Sequence, residues 1–561
     1  GEIPPTLDAP YSSSSNAECT TSNMTVYDKD GNGWTYTYST EDVTDPLTGA
    51  TRVQYNYGTP VCTYYNSKYL SGHLQTANWG FSYTSGGGWA GDVTFTRGEG
   101  ENLEQIMIGG TFGLSLEAER NLGLLDYVHF NNPNDIKLQG SNLVIGDFAS
   151  VEALGNVSII ANTALANTGR LDITTPKRVE LSINGGESAF GILNITSFED
   201  DIFLRTSNLN VAGTLALNAK HDIYATGEDM KAGNINFTTN AGDVNVNAPV
   251  TTKWMVLAAG RDVQINGAAN TQSNIHITAG RDAVSTGALD VAEGAMTITA
   301  GRDATLAKLS TAHPDDYLSD VKVTAKNTVT LNGEVTGGRL WATATEGDVV
   351  IKAPVTVDMR VGATAGRDVI STADLTATDG FIEIIAGRDA TLARLAAGPT
   401  SSVDVNAGND VTLNGTVDAW FVIIDAKNNA TLNDDVTGGE RVHASAAEGD
   451  LVVNGDVTAN GTFVELLAGR DAEINGNINA TNGLYGKATI TAKNNATING
   501  TIKAGGVAAT ATEGDLLIAG DVTSTRNIHD DATTFTAGRD VKIDGSVTSA
   551  GRKNATIITA G

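Results

Sequence analysis

Along most of the chain, apolar and polar residues alternate in short bursts, and the apolar positions never hold the 3.6-residue spacing of a helix. Val263 and Ile265, Val411 and Leu413, Leu451 and Val453, and Val541 and Ile543 each follow a Gly/Asp/Asn-rich corner at a spacing of two. That period puts both side chains on one face of a strand. A second alternating run precedes each corner, as at Ile275 and Ile277, Ile382 and Ile384, or Val403 and Val405. A third, weaker run lies between them, at Val417 and Ala419 or Val457 and Ala459. Frequent β-branched residues with Gly and Asn punctuation predict three short strands per repeat and no helices.

The repeat is explicit once the corners are aligned. "AGRDVQING" from Ala259, "AGRDATLAK" from Ala300, "AGNDVTLNG" from Ala407, "AGRDAEING" from Ala468 and "AGRDVKIDG" from Ala537 share one phase with variants such as "AKNNATING" from Ala492 and "EGDLVVNGD" from Glu448. The fourth residue of that phrase marks successive corners from Asn156 to Asp540, with a mean step of about 21 residues. A period in this range is the signature of a solenoid. Stacked turns pair each strand with its counterparts above and below at about 4.8 Å per turn, so the nineteen marked turns predict a rod of about 90 Å. The expected fold is an all-β parallel solenoid over residues 156–561, led in by first turns at 106–155. Alanine at many inward positions suits a narrow core, and the glycine of "AGRD" is expected to supply a positive φ or a tight corner.

The mark residue is Asp in most turns, including Asp262, Asp282, Asp303, Asp368, Asp389, Asp410, Asp471 and Asp540. An Asp there accepts backbone N–H bonds and fixes the corner, a turn ladder that Asn also serves at Asn156, Asn429 and Asn495. The competing reading is a column of carboxylates binding calcium. Arg261, Arg281, Arg302, Arg367, Arg388, Arg470 and Arg539 each immediately precede a mark, which offsets the repulsion such a column would suffer.

Composition changes near residue 105. Ten of the fourteen tyrosines, three of the six tryptophans and both cysteines fall before it, amid alternating stretches such as "WTYTYS" at 34–39. Residues 1–105 therefore predict a small all-β domain or cap. Cys19 and Cys62 fit one disulfide made in an oxidising compartment, although two reduced thiols satisfy the same count. The chain opens on Gly1 with neither a methionine nor an apolar signal core, as removal of a targeting peptide would leave it. No apolar run is long enough for a membrane helix. A formal charge of −29 repels nucleic acid and anionic lipid, favours solubility and attracts divalent cations.

Candidate chemistry is concentrated at the N-terminal end. "DKDGNGW" places Asp28, Asp30 and Asn32 at alternate positions of a calcium loop, with the Trp34 carbonyl as the next ligand and Glu41 or Asp42 replacing the missing final Glu. An Asp-Gly and Asn-Gly hairpin fits the same residues. Trp34, Trp79 and Trp89 could stack on sugars, or form the core of the β-domain. Sequons for N-glycosylation occur at Asn23, Asn156, Asn194, Asn236, Asn414, Asn429, Asn460, Asn479, Asn495, Asn499 and Asn554. The seven histidines show no metal-ligand or nucleophile spacing, and acids recur in every turn rather than once, which argues against an enzyme. "TIT" and "TAT" recur too irregularly for an ice-binding column.

The recurring "AGRDVxIxG" resembles the exoproteins of bacterial two-partner secretion, typified by filamentous haemagglutinin, over residues 130–561. Asn132, Pro133, Asn134, Asp135 and Ile136 look like that family's Asn-Pro-Asn-Gly-Ile element, with Asp135 departing from its glycine. The resemblance implies a right-handed parallel β-helix, export to the cell surface and a role in adhesion or matrix building. The chain ends in mid-repeat at "ATIITAG", so the expected assembly is a head-to-tail homopolymer in which the N-terminal domain of one copy meets the last turn of the next. The alternative is a monomeric adhesin that presents its N-terminal domain to glycans or a neighbouring cell surface.

Overall fold

The structure is a computed structural model. It describes residues 135–561 apart from 147, 168, 314–315, 481, 483–484, 526–531 and 551–554; before 135 it describes only the backbone of strands lying between Asn23 and Asn132. Asn23–Tyr27, Gly33–Thr44 and Thr51–Tyr64 pair antiparallel, whereas the strands from Ile106 onward pair in parallel. The chain divides into two compact units, Gly1–Gly280 and Arg281–Gly561.

In each unit the alternating bursts of the sequence become stacked turns of a parallel β-solenoid. A turn of about 21 residues carries a first strand directly after the mark residue, a second after the next corner and a third that leads to the following mark. In the first unit, first strands run in register from Ile136 through Val157, Val179, Ile202 and Ile223 to Val244 and Val263. In the second unit the series runs Val349, Val369, Ala390, Val411, Ala430 and Leu451. The corner phase read from the sequence is therefore the register of the structure. Some neighbouring strands merge, as in Ile202–Ala219, where a whole turn is extended. Among the described residues the one helical element is a single 3₁₀ turn at Asp316–Leu318.

Inward positions are filled almost wholly by Val, Ile, Leu and Ala, and most are fully buried. The largest fully buried side chains are Phe237 and Phe535. Each buried aliphatic residue contributes about 1.5–3 kcal/mol, but only once a neighbouring turn covers it. The last residue of the third strand is alanine in turn after turn, with Ala300, Ala325, Ala344, Ala365 and Ala386 in direct register. In the first unit the same column also takes Thr175, Ser197 and Thr239.

The corner glycine works differently from the sequence expectation. Among the described residues positive φ is recorded at Gly186, where φ is 60°, and not at the "AGRD" glycines. A Cβ on Gly387 would collide with the carbonyl oxygen of Gly366, and one on Gly408 with that of Gly387. Close stacking of one corner on the next, rather than left-handed backbone, demands glycine here.

Candidate functional site

Two systems of side chains lie outside the core: a ladder at the first corner and a strip on the outer face of the third strands.

At the corner, the mark residue of one turn receives the backbone N–H of the mark residue in the next. Asp222 and Asp243 donate their N–H groups to Asp201 and Asp222 at 2.7 Å, and Asp262 donates to Asp243 at 3.0 Å. In the second unit the same bond links Asp303 to Asp282, Asp389 to Asp368, Asp410 to Asp389 and Asp540 to Asp515, at 3.1–3.3 Å. Asn performs the same task, since Asp450 donates to Asn429 and Asp515 donates to Asn495. The preceding arginine clamps the mark residue of the turn before, not its own. Arg261 Nε and Nη2 bind the two oxygens of Asp243 at 3.0 and 2.8 Å, and Arg470 holds Asp450 in the same way. The Arg302–Asp282 and Arg388–Asp368 pairs repeat the fork. Where Asn replaces Arg, Asn409 Nδ2 donates to Asp389 and Asn428 Nδ2 to Asp410. The Arg388 hydrogen bond holds the Asp368 carboxyl below the usual carboxylate range. Peptide N–H groups and guanidinium or amide groups thus occupy the carboxylates that a calcium column would need. Among the described residues no group of three or more His, Cys, Asp or Glu side chains is arranged to hold a metal ion.

The ladder lapses where the mark is not Asp or Asn. At Arg178 an aromatic stack takes its place: the guanidinium lies 4.0 Å from the Phe203 ring centre, and Phe203 stacks on Tyr224 at 4.9 Å. At Thr328 nothing comparable fills the position.

A further ladder runs along a neighbouring corner. Asn433, Asn454, Asn475 and Asn499 each donate Nδ2 to the Asn oxygen one turn earlier, starting at Asn414, at 2.7–2.9 Å. Several sequon asparagines are therefore structural. Asn499 Nδ2, the atom a glycan would need, is bonded to Asn475; Asn194 Nδ2 is bonded to Asp172 at 3.0 Å, and Asn495 Nδ2 to Asp471 at 3.3 Å. Asn429 and Asn156 offer Oδ1 to the corner ladder. Asn236, Asn414 and Asn460 are exposed and Asn479 is half-buried. The remaining candidates lie outside the described residues: Asn554, Asn23 as a side chain, the calcium candidates Asp28, Asp30 and Asn32 with the side chains of Trp34 and Glu41, and the Cys19–Cys62 pair.

The outer strip escaped the sequence reading because its successive members are about a full turn of 21 residues apart. It becomes visible when outward positions of the third strands are set side by side. One column is threonine at Thr299, Thr324, Thr343 and Thr364, and again at Thr491, Thr510, Thr536 and Thr559. Between these runs it changes to Ile385, Asn406, Asp425, Ser445 and Leu467. The next outward column, over the same turns, reads Trp341, Gly362, Glu383, Asp404, Ile423, His443 and Glu465. The outermost column alternates, with Phe381, Phe421 and Phe463 on every second turn and Ser402 and Arg441 between them.

Its polar groups are organised. His443 Nδ1 lies 2.8 Å from Glu465 Oε2 and Nε2 lies 3.2 Å from Asp425 Oδ1, while Ser445 donates to the same Asp425 oxygen at 3.0 Å. The hydrogen bond to Asp425, followed by that to Glu465, raises the His443 pKa against the lowering effect of burial. Both carboxyls are lowered in return, chiefly by His443. Asp404 is raised by burial and then by the charges of Asp425 and Glu383. It has no ion-pair or hydrogen-bond partner among the described residues. Arg360 spreads over Trp341 at 3.7 Å and Phe381 at 5.1 Å, and pairs with Glu383. Gly362 keeps the space that Arg360 occupies, since a Cβ there would sit 2.9 Å from Nε. Phe381, Phe421 and Phe463 remain 37–44% exposed, as does Trp420 beside them.

Comparison with protein-family models, with curated proteins and with solved structures finds no match to the chain. The solenoid is the established result.

Proposed function

We propose that the chain is an extracellular structural protein whose solenoid serves as a scaffold at a cell surface, and that copies of it associate into filaments. The observation that supports this most directly is the use to which the repeat is put. Its recurrent chemistry, the Asp and Asn ladders, the arginine clamps and the alanine column, joins turn to turn. Strand edges and ladder atoms of the kind that join neighbouring turns are the groups through which a second copy would associate. The recurring "AGRDVxIxG" and the "NNPNDI" segment favour kinship with two-partner-secretion exoproteins, which carries the extracellular assignment. On this reading the chain is not an enzyme; calcium at the N-terminal loop, the disulfide and N-linked sugars remain part of the proposal.

A second reading, a surface adhesin, is favoured by the strip around His443, where the regular exterior gives way to aromatic and acidic residues. Sedimentation and negative-stain microscopy of the full chain over a range of concentrations separate the two. Filaments that grow with concentration support the first; single particles throughout leave the adhesin alone.

A further inference from the structure

We propose that the outer face of the third strands between Arg339 and Leu467 binds an extended, uncharged, β-linked polysaccharide that runs along the stacking direction, with sugar rings seated on Phe381, Phe421 and Phe463. The inference deepens the adhesin reading but does not depend on filaments.

The repeat supplies its own control. Turns on either side keep threonine in one outward column, so that position needs no other residue to fold. Five consecutive turns abandon it, and the three phenylalanines, His443 and the acids Glu383, Asp404, Asp425 and Glu465 all lie on those turns, whereas Trp341 shares its turn with Thr343. Departures from a local rule mark candidate functional positions; the His443 bonds return some stability to their turns, yet the three phenylalanines stay 37–44% exposed. Exposed phenylalanine on a strand face costs solubility and gives nothing to the core.

The spacing selects the occupant. Aromatic rungs on every second turn are about 9.6 Å apart. An extended peptide presents same-face side chains about every 6.6–6.8 Å, which falls out of step by the second rung. An extended β-linked polysaccharide repeats after two rings and so offers the same apolar ring face to each rung. A peptide adding as a strand would also need a free sheet edge, whereas this is a face with its backbone already paired. Charge excludes anionic polymers. Glu383, Asp404, Asp425 and Glu465 line the strip, and its cations are committed: Arg339 to Asp320, Arg360 to Glu383 and Arg441 to Glu465. Hydroxyl groups, in contrast, donate well to carboxylates, and among the described residues Asp404 stands without a partner of its own.

The test uses the full chain with microcrystalline cellulose and with chitin as probes, and heparin as the anionic control. Retention on cellulose or chitin but not heparin is expected. The variant F381S/F421S/F463S should lose about tenfold or more of that retention, and Asp404→Asn should weaken it severalfold, with circular dichroism unchanged in both. Retention on neither polymer, or equal retention by the triple variant, overturns the inference. Should the triple variant misfold, hydrogen exchange of the unaltered chain decides: a soluble oligosaccharide must slow amides of residues 381–467, and no slowing overturns it. Filaments without polysaccharide binding defeat this inference and leave the scaffold reading standing; binding by single particles does the reverse.

Discussion

At the scale of single residues, the fold depends on short polar side chains facing one turn ahead. Asp410 Oδ1 accepts both the Asn429 N–H and Asn428 Nδ2 at 2.9 Å. Replacing it by alanine strands a peptide N–H in a tight corner, and the expected loss is about 1–3 kcal/mol, read by denaturant melts. Asp410→Asn should recover most of it, because Asn occupies the same phase at Asn429. His443 gives a pH dependence of defined sign. Its folded pKa is raised, so its contribution is complete below the ordinary 6.5 and is lost as pH rises through the folded value. Asp425 and Glu465 are lowered, so theirs is present above the ordinary carboxylate values of 3.8 and 4.5 and is lost as pH falls through the folded ones. Protection of the amides of residues 423–465, taken as exchange relative to the intrinsic rate at each pH, should therefore be greatest between about pH 4.5 and 6.5 and fall on both sides. His443→Gln should abolish the alkaline limb.

At the scale of the element, each strand is short and gains its stability from register. First-strand register was legible in the sequence because Asx marks and following apolar pairs, such as Asp410 with Val411 and Leu413, recur in one phase with only Arg178 and Thr328 departing at the mark. The partner of each arginine was not, since Arg388 adjoins Asp389 in sequence but forks onto Asp368 in space. The reason for the corner glycines was also hidden. A sequence shows that Gly387 is small but not that the carbonyl of Gly366 lies where its Cβ would be. Gly387→Ala should accordingly lower the melting midpoint and speed amide exchange in the flanking turns at Arg367 and Asn409, while leaving distant turns unchanged. Glycine required for φ alone would tolerate Asn at this site; glycine required for contact rejects it as firmly as alanine. The Phe381, Phe421 and Phe463 column stayed unread for a further reason. Its members are about forty residues apart, and only the aligned outward positions, with threonine as their background, reveal them.

At the scale of the whole molecule, charge sets the solution behaviour. Sixty-five acidic residues face thirty-six basic ones. Salt weakens exposed clamps such as Arg470–Asp450, each contributing about 0.2–1 kcal/mol, but it also screens the repulsion of a net −29 chain. The repulsion is the larger quantity, because the clamps are local whereas the excess of 65 acidic over 36 basic residues, 29 charges, acts over the whole chain. Thermal midpoints should rise between 10 mM and 200 mM sodium chloride; a fall would show that the clamps dominate.

Thr328 carries a mechanical consequence. Asp303 and Asp348 at that corner each sew their turn to the following one through a side-chain oxygen, and Thr328 between them leaves the Asp348 amide without such a thread. A solenoid pulled along its stacking direction should part first beside this gap, with the turns on either side coming away as blocks. Substituting Thr328→Asp would close the seam and raise the force at which the first block yields.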